Sequence, residues 1–248
     1  MIEKDTKLEV ERIIHAGENA GIRLRVLGGL AIYMTCPSAV IHPRLKRSYA
    51  DIDLAGLEKE APGLGQFFTQ LGYVPDQRFN ALHGRTRMIF YNPDDGSHVD
   101  VFLDRFQMCH VLDLRQRLLE GYLSLTLADL LITKLQIVEL NEKDMKDILA
   151  ILLDHETGSE APDRLDLDYL AGLTGNDWGL YTTLNDNLVK AKEHLAEFLE
   201  ENEVNLVVQR VEQILQKMQA APKSLRWRAR AKIGRRVEWF DLPDEVTR

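Results

Sequence analysis

Three acids and a pair of glycines are the residues here whose types and spacing could do chemistry. Asp51 and Asp53 flank Ile52 in a short run with strand character, so alternation sends both carboxylates out of one face. Carboxylates that close repel unless a cation lies between them. Hard oxygen donors of this kind suit Mg²⁺, which binds through one or two carboxylates together with substrate phosphates. A third acid, Asp100, comes from a hairpin. Thr86 to Asn92 read as its first strand, Pro93-Asp94-Asp95-Gly96 as its turn, and Ser97 to Asp104 as the return. Val99, Val101 and Leu103 then share one face and Asp100 lies on the other. An acid inside such an apolar, β-branched run is solvated, paired or bound to metal. Asp104 shares its face nearer the strand end.

The glycines are Gly28 and Gly29. Leu24 to Leu27 read as a strand and Leu30 to Thr35 as the first turns of a buried helix, so the pair forms a tight turn at a helix N-terminus. Free backbone N–H groups and the positive end of the helix dipole face outward from such a turn, and glycine admits close approach. That favours a phosphate.

In this order, Gly28, Gly29, Asp51, Asp53 and Asp100 resemble the pattern of nucleotidyltransferases of the DNA polymerase β type: a Gly-Gly or Gly-Ser turn, an Asp-x-Asp pair on a strand, and an acid on a later strand. The interval between Gly29 and Asp51 is similar to that of the larger bacterial members related to abortive-infection type IV toxins. The resemblance covers roughly the first half of the chain. One departure is Gly29, where many small members carry a serine whose hydroxyl touches phosphate. The resemblance implies transfer of an NMP group from an NTP to a hydroxyl acceptor, with pyrophosphate leaving. Asp51 and Asp53 would ligate Mg²⁺ or Mn²⁺, and Asp100 would complete a second metal site and help deprotonate the acceptor. The tRNA 3′ end, a protein hydroxyl and small molecules such as aminoglycosides are all acceptors within families sharing this core. A toxin role with an antitoxin partner also follows from the resemblance.

Cations that could meet a triphosphate come next. Ile41 to Tyr49 carry His42, Arg44, Lys46 and Arg47 on a loop leading into the Asp pair. Arg44 and Arg47 either grip phosphate, spreading the charge of a leaving pyrophosphate, or form a solvated surface. Arg87, at the start of the hairpin, reads more readily as a solvated edge residue than as a site residue. Lys134 sits in an apolar stripe with Leu127, Leu130, Leu131 and Val138, so it either snorkels outward or reaches into a cleft. In the resembling larger enzymes, a lysine on the first helix after the catalytic domain meets the nucleotide phosphates, and Lys134 matches that place. Asp144 and Asp147, in Lys143-Asp144 and Lys146-Asp147, either hold Lys134 or form surface ion pairs.

Around these residues the chain reads as α+β (α/β), a small mixed-sheet nucleotidyltransferase core over residues 1–120 followed by a C-terminal helical bundle over 121–248. Thr6 to Gly21 form an amphipathic helix, Gly63 to Gly72 another carrying Leu64, Phe67, Phe68 and Leu71, and Tyr73 to Arg78 a short strand. The pattern turns from strands to helices near Gly121. Helices are expected over Thr126 to Leu140, Glu142 to His155, Leu165 to Leu173, Trp178 to Thr183, Leu184 to Glu200 and Val204 to Gln219, with a linker over Gly158 to Asp163. The tail from Lys223 to Arg236 carries Lys223, Arg226, Arg228, Arg230, Lys232, Arg235 and Arg236 without an acid, with Trp227 among them. It either binds RNA, stacking a base on the indole, or docks on its own acidic chain or a partner. Trp239 and Phe240 favour a tail that folds back.

Composition limits the alternatives. A net charge of −8 over 248 residues is not that of a general nucleic-acid binder. Cys36 and Cys109 match neither a zinc nor a disulfide spacing, which fits a reducing cytoplasm. No secretory leader or membrane-length apolar run is expected, so membrane is excluded as a partner. Gly28-Gly29-Leu30 does not continue into Gly-x-Gly-x-x-Gly, which argues against a dinucleotide-binding oxidoreductase. A non-catalytic nucleotide-binding or antitoxin-like module remains the alternative. Only Gly29 points that way, against three acids.

Overall fold

A computed structural model of the chain describes residues 2–120, 122–159 and 163–242, with side chains from residue 6 onward. Gly121, where the pattern changes, and residues 160–162 of the expected linker lie outside them. The fold is α+β, in two compact units. One comprises Met1–Thr35, Ser48–Phe106 and Leu112–Thr126; the other comprises Cys36–Arg47, Gln107–Val111 and Leu127–Arg248.

The first unit is built on a mixed sheet. Helix α1 (Ile2–Ala20) leads to β1 (Arg25–Leu27) and α2 (Gly28–Thr35); in the other unit, Pro37–Ile41 forms the short α3. The chain returns as β2 (Ile52–Gly56), α4 (Ala61–Gln70), β3 (Val74–Pro75), α5 (Gln77–His83), β4 (Arg87–Tyr91) and β5 (His98–Leu103). Strand order is β1-β2-β5-β4-β3, with β2 and β5 parallel and the other neighbours antiparallel. Arg105–Gln107 (β6) and Val111–Asp113 (β7) form a separate ribbon.

Alternation sorts this sheet cleanly. Val26, Leu54, Val99, Val101, Leu103 and Phe90 take one face and are buried. Phe68 of α4 stacks on Phe90 at 4.1 Å, while Phe67 and Leu24 lie near Gly17 of α1, so α1 and α4 line that face. Burial of a side chain such as Phe68 is worth about 1.5–3 kcal/mol. The other face carries Asp53 and Asp100. The strand expected over Tyr73 to Arg78 shrinks to β3, because Asp76 caps α5 by accepting from the Phe79 N–H at 2.9 Å.

The second unit is helical. It holds α6 (Leu127–Leu135), α7 (Glu142–Asp154), the paired strands β8 (Thr157–Gly158) and β9 (Leu165–Asp166), α8 (Leu167–Asn176), α9 (Trp178–Phe198), α10 (Glu201–Ala220) and α11 (Leu225–Ile233). Side-chain caps start these helices: Asn141 for α7, Asp166 for α8, Asp177 for α9 and Ser224 for α11. Helix α7 lies at the centre, with Ile148 through Leu152 buried without interruption. The segments expected over Trp178–Thr183 and Leu184–Glu200 merge into one helix that ends at Phe198, since neither glycine nor proline interrupts Leu180 to Phe198. Helix α6 stops at Leu135, short of Leu140, where Asn187 donates to the carbonyls of Leu135 and Ile137 at 2.8 and 2.7 Å. Among the described residues, no helix is long and apolar enough to cross a membrane.

Candidate functional site

Strand register assembles the acids. Asp53 pairs directly with Asp100 across the parallel β2–β5 ladder, and with Leu27 across the antiparallel β1–β2 ladder. Directly paired residues project from the same face, so the two carboxylates are neighbours. Leu27 is followed by Gly28, whose φ of +69° is natural only for glycine. A Cβ at Gly28 would lie 2.3 Å from Asp53 Oδ2, so the carboxylate packs against the bare Cα of the turn. Gly28 and Gly29 open α2, and the end of β1 therefore brings a helix N-terminus to Asp53. Asp51 is exposed just before β2.

Asp100 is only 2% exposed and is held by a fork from Arg87. Arg87 Nε donates to Oδ1 at 2.7 Å, and Nη2 donates to Oδ2. The guanidinium lies 4.9 Å from the ring centre of Phe102 and 5.7 Å from that of Phe79. Hydrogen bonding to Asp100 raises the Arg87 pKa against the cost of burial, and the charges of Asp100 and Asp53 add to the shift. Arg87 thus faces the acids and is not a solvated edge residue. The hairpin turn carries the signal: with Tyr91 opposite His98, Arg87 falls opposite Phe102, diagonal to Asp100 on the same face.

Asp104 has a different job. At φ +60° it is the sole non-glycine among the described residues with a left-handed backbone, and its Oδ1 accepts from the Glu58 N–H at 2.9 Å.

The cationic candidates belong to the second unit. Arg47 forks onto Asp147, Nε to Oδ1 at 2.8 Å and Nη2 to Oδ2 at 2.6 Å. Lys134 Nζ reaches the same Asp147 at 2.8 Å and Asp144 at 3.1 Å. Asp147 is fully buried, so this is an interior ion cluster and not a surface pair. Burial alone would lower the Lys134 pKa, but Asp147 and Asp144 outweigh it and raise it. Arg44 is exposed and pairs with Glu200 at 2.9 Å, while His42 meets Glu203 at 3.2 Å.

The basic tail folds back within the same unit. Arg230 donates to the carbonyls of Gly234 and Val237, both at 2.6 Å, and lies 4.7 Å from the Trp178 ring. Arg235 pairs with Asp186 at 2.7 Å and lies over Trp239. Lys223 donates to the Met218 carbonyl and sits over Tyr181 and Trp227. Trp227 packs edge-on against Tyr181 at 5.6 Å, so its indole is committed inward; Arg226, Arg228, Lys232 and Arg236 are exposed.

No protein-family model matches the chain, and no curated protein matches it. Among solved structures it is similar to the solution structure of the antibiotic-resistance factor ANT(2'')-Ia. The TM-score is 0.40 and the identity 14%, over 61% of this chain and 84% of that one, a likeness too slight to bear on function.

Proposed function

We propose that the chain is a nucleotidyltransferase, moving an NMP group from an NTP to a hydroxyl acceptor with a divalent ion, Mg²⁺ or Mn²⁺, at its acids. One observation carries the reading: the two ladders of β2 place Asp53 beside Asp100 and against the Gly28 turn. A phosphate-accepting turn and paired carboxylates on one face are what transfer of a charged phosphoryl group requires.

The donors fit a hard divalent ion in kind, being carboxylate oxygens beside a turn that lacks a Cβ. Asp51 and Asp53 would hold it and Asp100 would complete the set. Among the described residues, no three or more metal-ligating side chains converge, and the oxygens of Asp100 are engaged by Arg87. When bound, the ion supplies charge neutralisation for the triphosphate.

The chain's own residues do the rest. The N–H groups of Gly28 and Gly29 bind phosphate oxygens at the start of α2. Asp100 orients the acceptor hydroxyl and takes its proton as the acceptor oxygen bonds to the α-phosphorus and the bond to pyrophosphate breaks. Lys134, bonded to Asp144 and Asp147, is kept as a phosphate candidate on the resemblance alone. Arg47, spent on Asp147, is assigned to holding that acid. Arg44 remains an exposed candidate for the triphosphate. RNA, protein and small-molecule hydroxyls are the acceptors to try; a toxin role with an antitoxin, and a cytoplasmic location, belong to the same proposal.

The test is incubation with each α-labelled NTP, Mg²⁺ and total tRNA, with Asp53→Asn as control. Label should pass to RNA or to the protein in the wild type, and fall by about 10³-fold in the variant, since positioning and charge stabilisation dominate such chemistry. Equal transfer by a folded Asp53→Asn protein would end this assignment. Nucleotide binding without turnover would favour a small-molecule acceptor that was not supplied or a non-catalytic module.

A further inference from the structure

The fork between Arg87 and Asp100 has a consequence for how the acids take an ion. Asp100 is almost fully buried, and each of its oxygens accepts from Arg87. Its strand neighbour Asp53 also adds its charge to that guanidinium. One positive group therefore already serves the two carboxylates that would share a cation. A guanidinium and a divalent ion on the same carboxylate repel, so full engagement of one weakens the other.

The surroundings of Arg87 offer the guanidinium a second resting place. Its side chain is 27% exposed, unlike that of Asp100. Phe102, which follows Asp100 by two positions on the same strand face, and Phe79, delivered by α5, both present rings to it within 6 Å. A cation that leaves the carboxylate keeps these rings and gains water. An incoming triphosphate would give it a further anionic partner.

We infer that Arg87 is a positioning residue that holds Asp100 in the ion-free protein and competes with a divalent ion for it. Ion binding at Asp53 and Asp100 then requires the guanidinium to withdraw toward Phe79 and Phe102. This rests on the nucleotidyl-transfer reading for the presence of an ion, and on the fork itself for the competition.

The test is Mn²⁺ titration of the whole protein without nucleotide, following free Mn²⁺ by electron paramagnetic resonance, with circular dichroism to confirm folding. Arg87→Gln removes the competing charge and should bind Mn²⁺ about tenfold more tightly than the wild type. Arg87→Lys, which keeps the charge but cannot fork, should fall between them, and it decides the matter should Arg87→Gln not fold. Because the effect acts through Asp100, Asp100→Asn and the double variant Arg87→Gln/Asp100→Asn should bind alike.

Equal Mn²⁺ affinity in the wild type and the folded Arg87 variants would overturn the competition. So would a double variant that still binds more tightly than Asp100→Asn, since that is a general charge effect. Failure of every protein, wild type included, to bind Mn²⁺ would remove the metal-dependent reading together with this inference. The expected affinity order with no turnover of any nucleotide on RNA, protein or small-molecule hydroxyls would leave the inference standing and remove the catalytic reading alone.

Discussion

The carboxylate of Asp53 rests on the bare Cα of Gly28, where a side chain's first carbon would lie 2.3 Å from Oδ2. This single contact ties the turn to the acid. Gly28→Ala meets two penalties, displacement of Asp53 and a left-handed backbone at φ +69°, the latter costing about 1–2 kcal/mol. The protein should fold with a slightly lowered Tm yet lose Mn²⁺ binding and nucleotidyl transfer together. A Gly28→Ala protein with wild-type transfer would show that the turn does not position Asp53.

Asp147 is the hinge of the other cluster, taking the Arg47 fork and the Lys134 ammonium while fully buried. Removing one partner from a buried ionic set strands the remaining charges, at a cost of about 3–5 kcal/mol. Asp147→Asn should therefore lower the urea midpoint strongly. Asp144→Asn, which leaves Lys134 its Asp147 contact, should cost about 1 kcal/mol. Equal effects from the two would mean that Lys134 alone, without Arg47, sets the stability of the cluster.

The legibility of these features in the sequence follows from how each is specified. Strand parity put Asp100 opposite the face of Val99, Val101 and Leu103 without any knowledge of neighbours, and the ladder agrees. The pairing of Asp53 with Asp100 was not readable, because β2 and β5 are joined by a long crossover and no turn fixes their register. Arg87 was readable in principle, since a tight hairpin sets register, but a charge at a strand start reads first as surface. For Asp147 the sequence left two readings open, holding Lys134 or a surface ion pair. Lys-Asp repeated along a helix has the pattern of a solvated face, and only the packing of α7 at the centre of its unit buries it. For Trp227 the sequence left base stacking and docking both open, and the ring turns inward because Tyr181 and Lys223 cover it.

Asp104 follows the end of the strand that carries Asp100 and is committed to structure. Its Oδ1 accepts from Glu58, its N–H donates to the Gly56 carbonyl at 2.9 Å, and its carbonyl accepts from Leu114 at 2.8 Å. Asp104→Asn keeps the acceptor and tolerates the left-handed backbone, so stability and transfer should both persist. Asp104→Ala loses both supports and should cost about 1–2 kcal/mol while transfer by the folded fraction is retained. A large drop in transfer by a stable Asp104→Asn protein would instead place that carboxylate in the chemistry.

His110 gives the second unit a pH dependence of definite sign. Its backbone N–H donates to Gln136 Oε1 at 2.9 Å, and its Nε2 lies 2.9 Å from the Thr183 hydroxyl, which also accepts from the Trp239 indole at 3.1 Å. Burial pushes the His110 pKa below 6.5, and the charges of Asp177 and Asp241 offset this only in part. The unfolded chain therefore takes up a proton near 6.5 while the folded one stays neutral. The stability from His110 is present above 6.5 and is lost as pH falls through that value toward the folded pKa. One proton limits the slope to about 1.4 kcal/mol per pH unit. Urea unfolding between about pH 5 and 8 should show the wild type losing stability in the lower half of that range, with His110→Gln flattening the slope. An unchanged slope in the folded variant would assign the acid sensitivity to other groups.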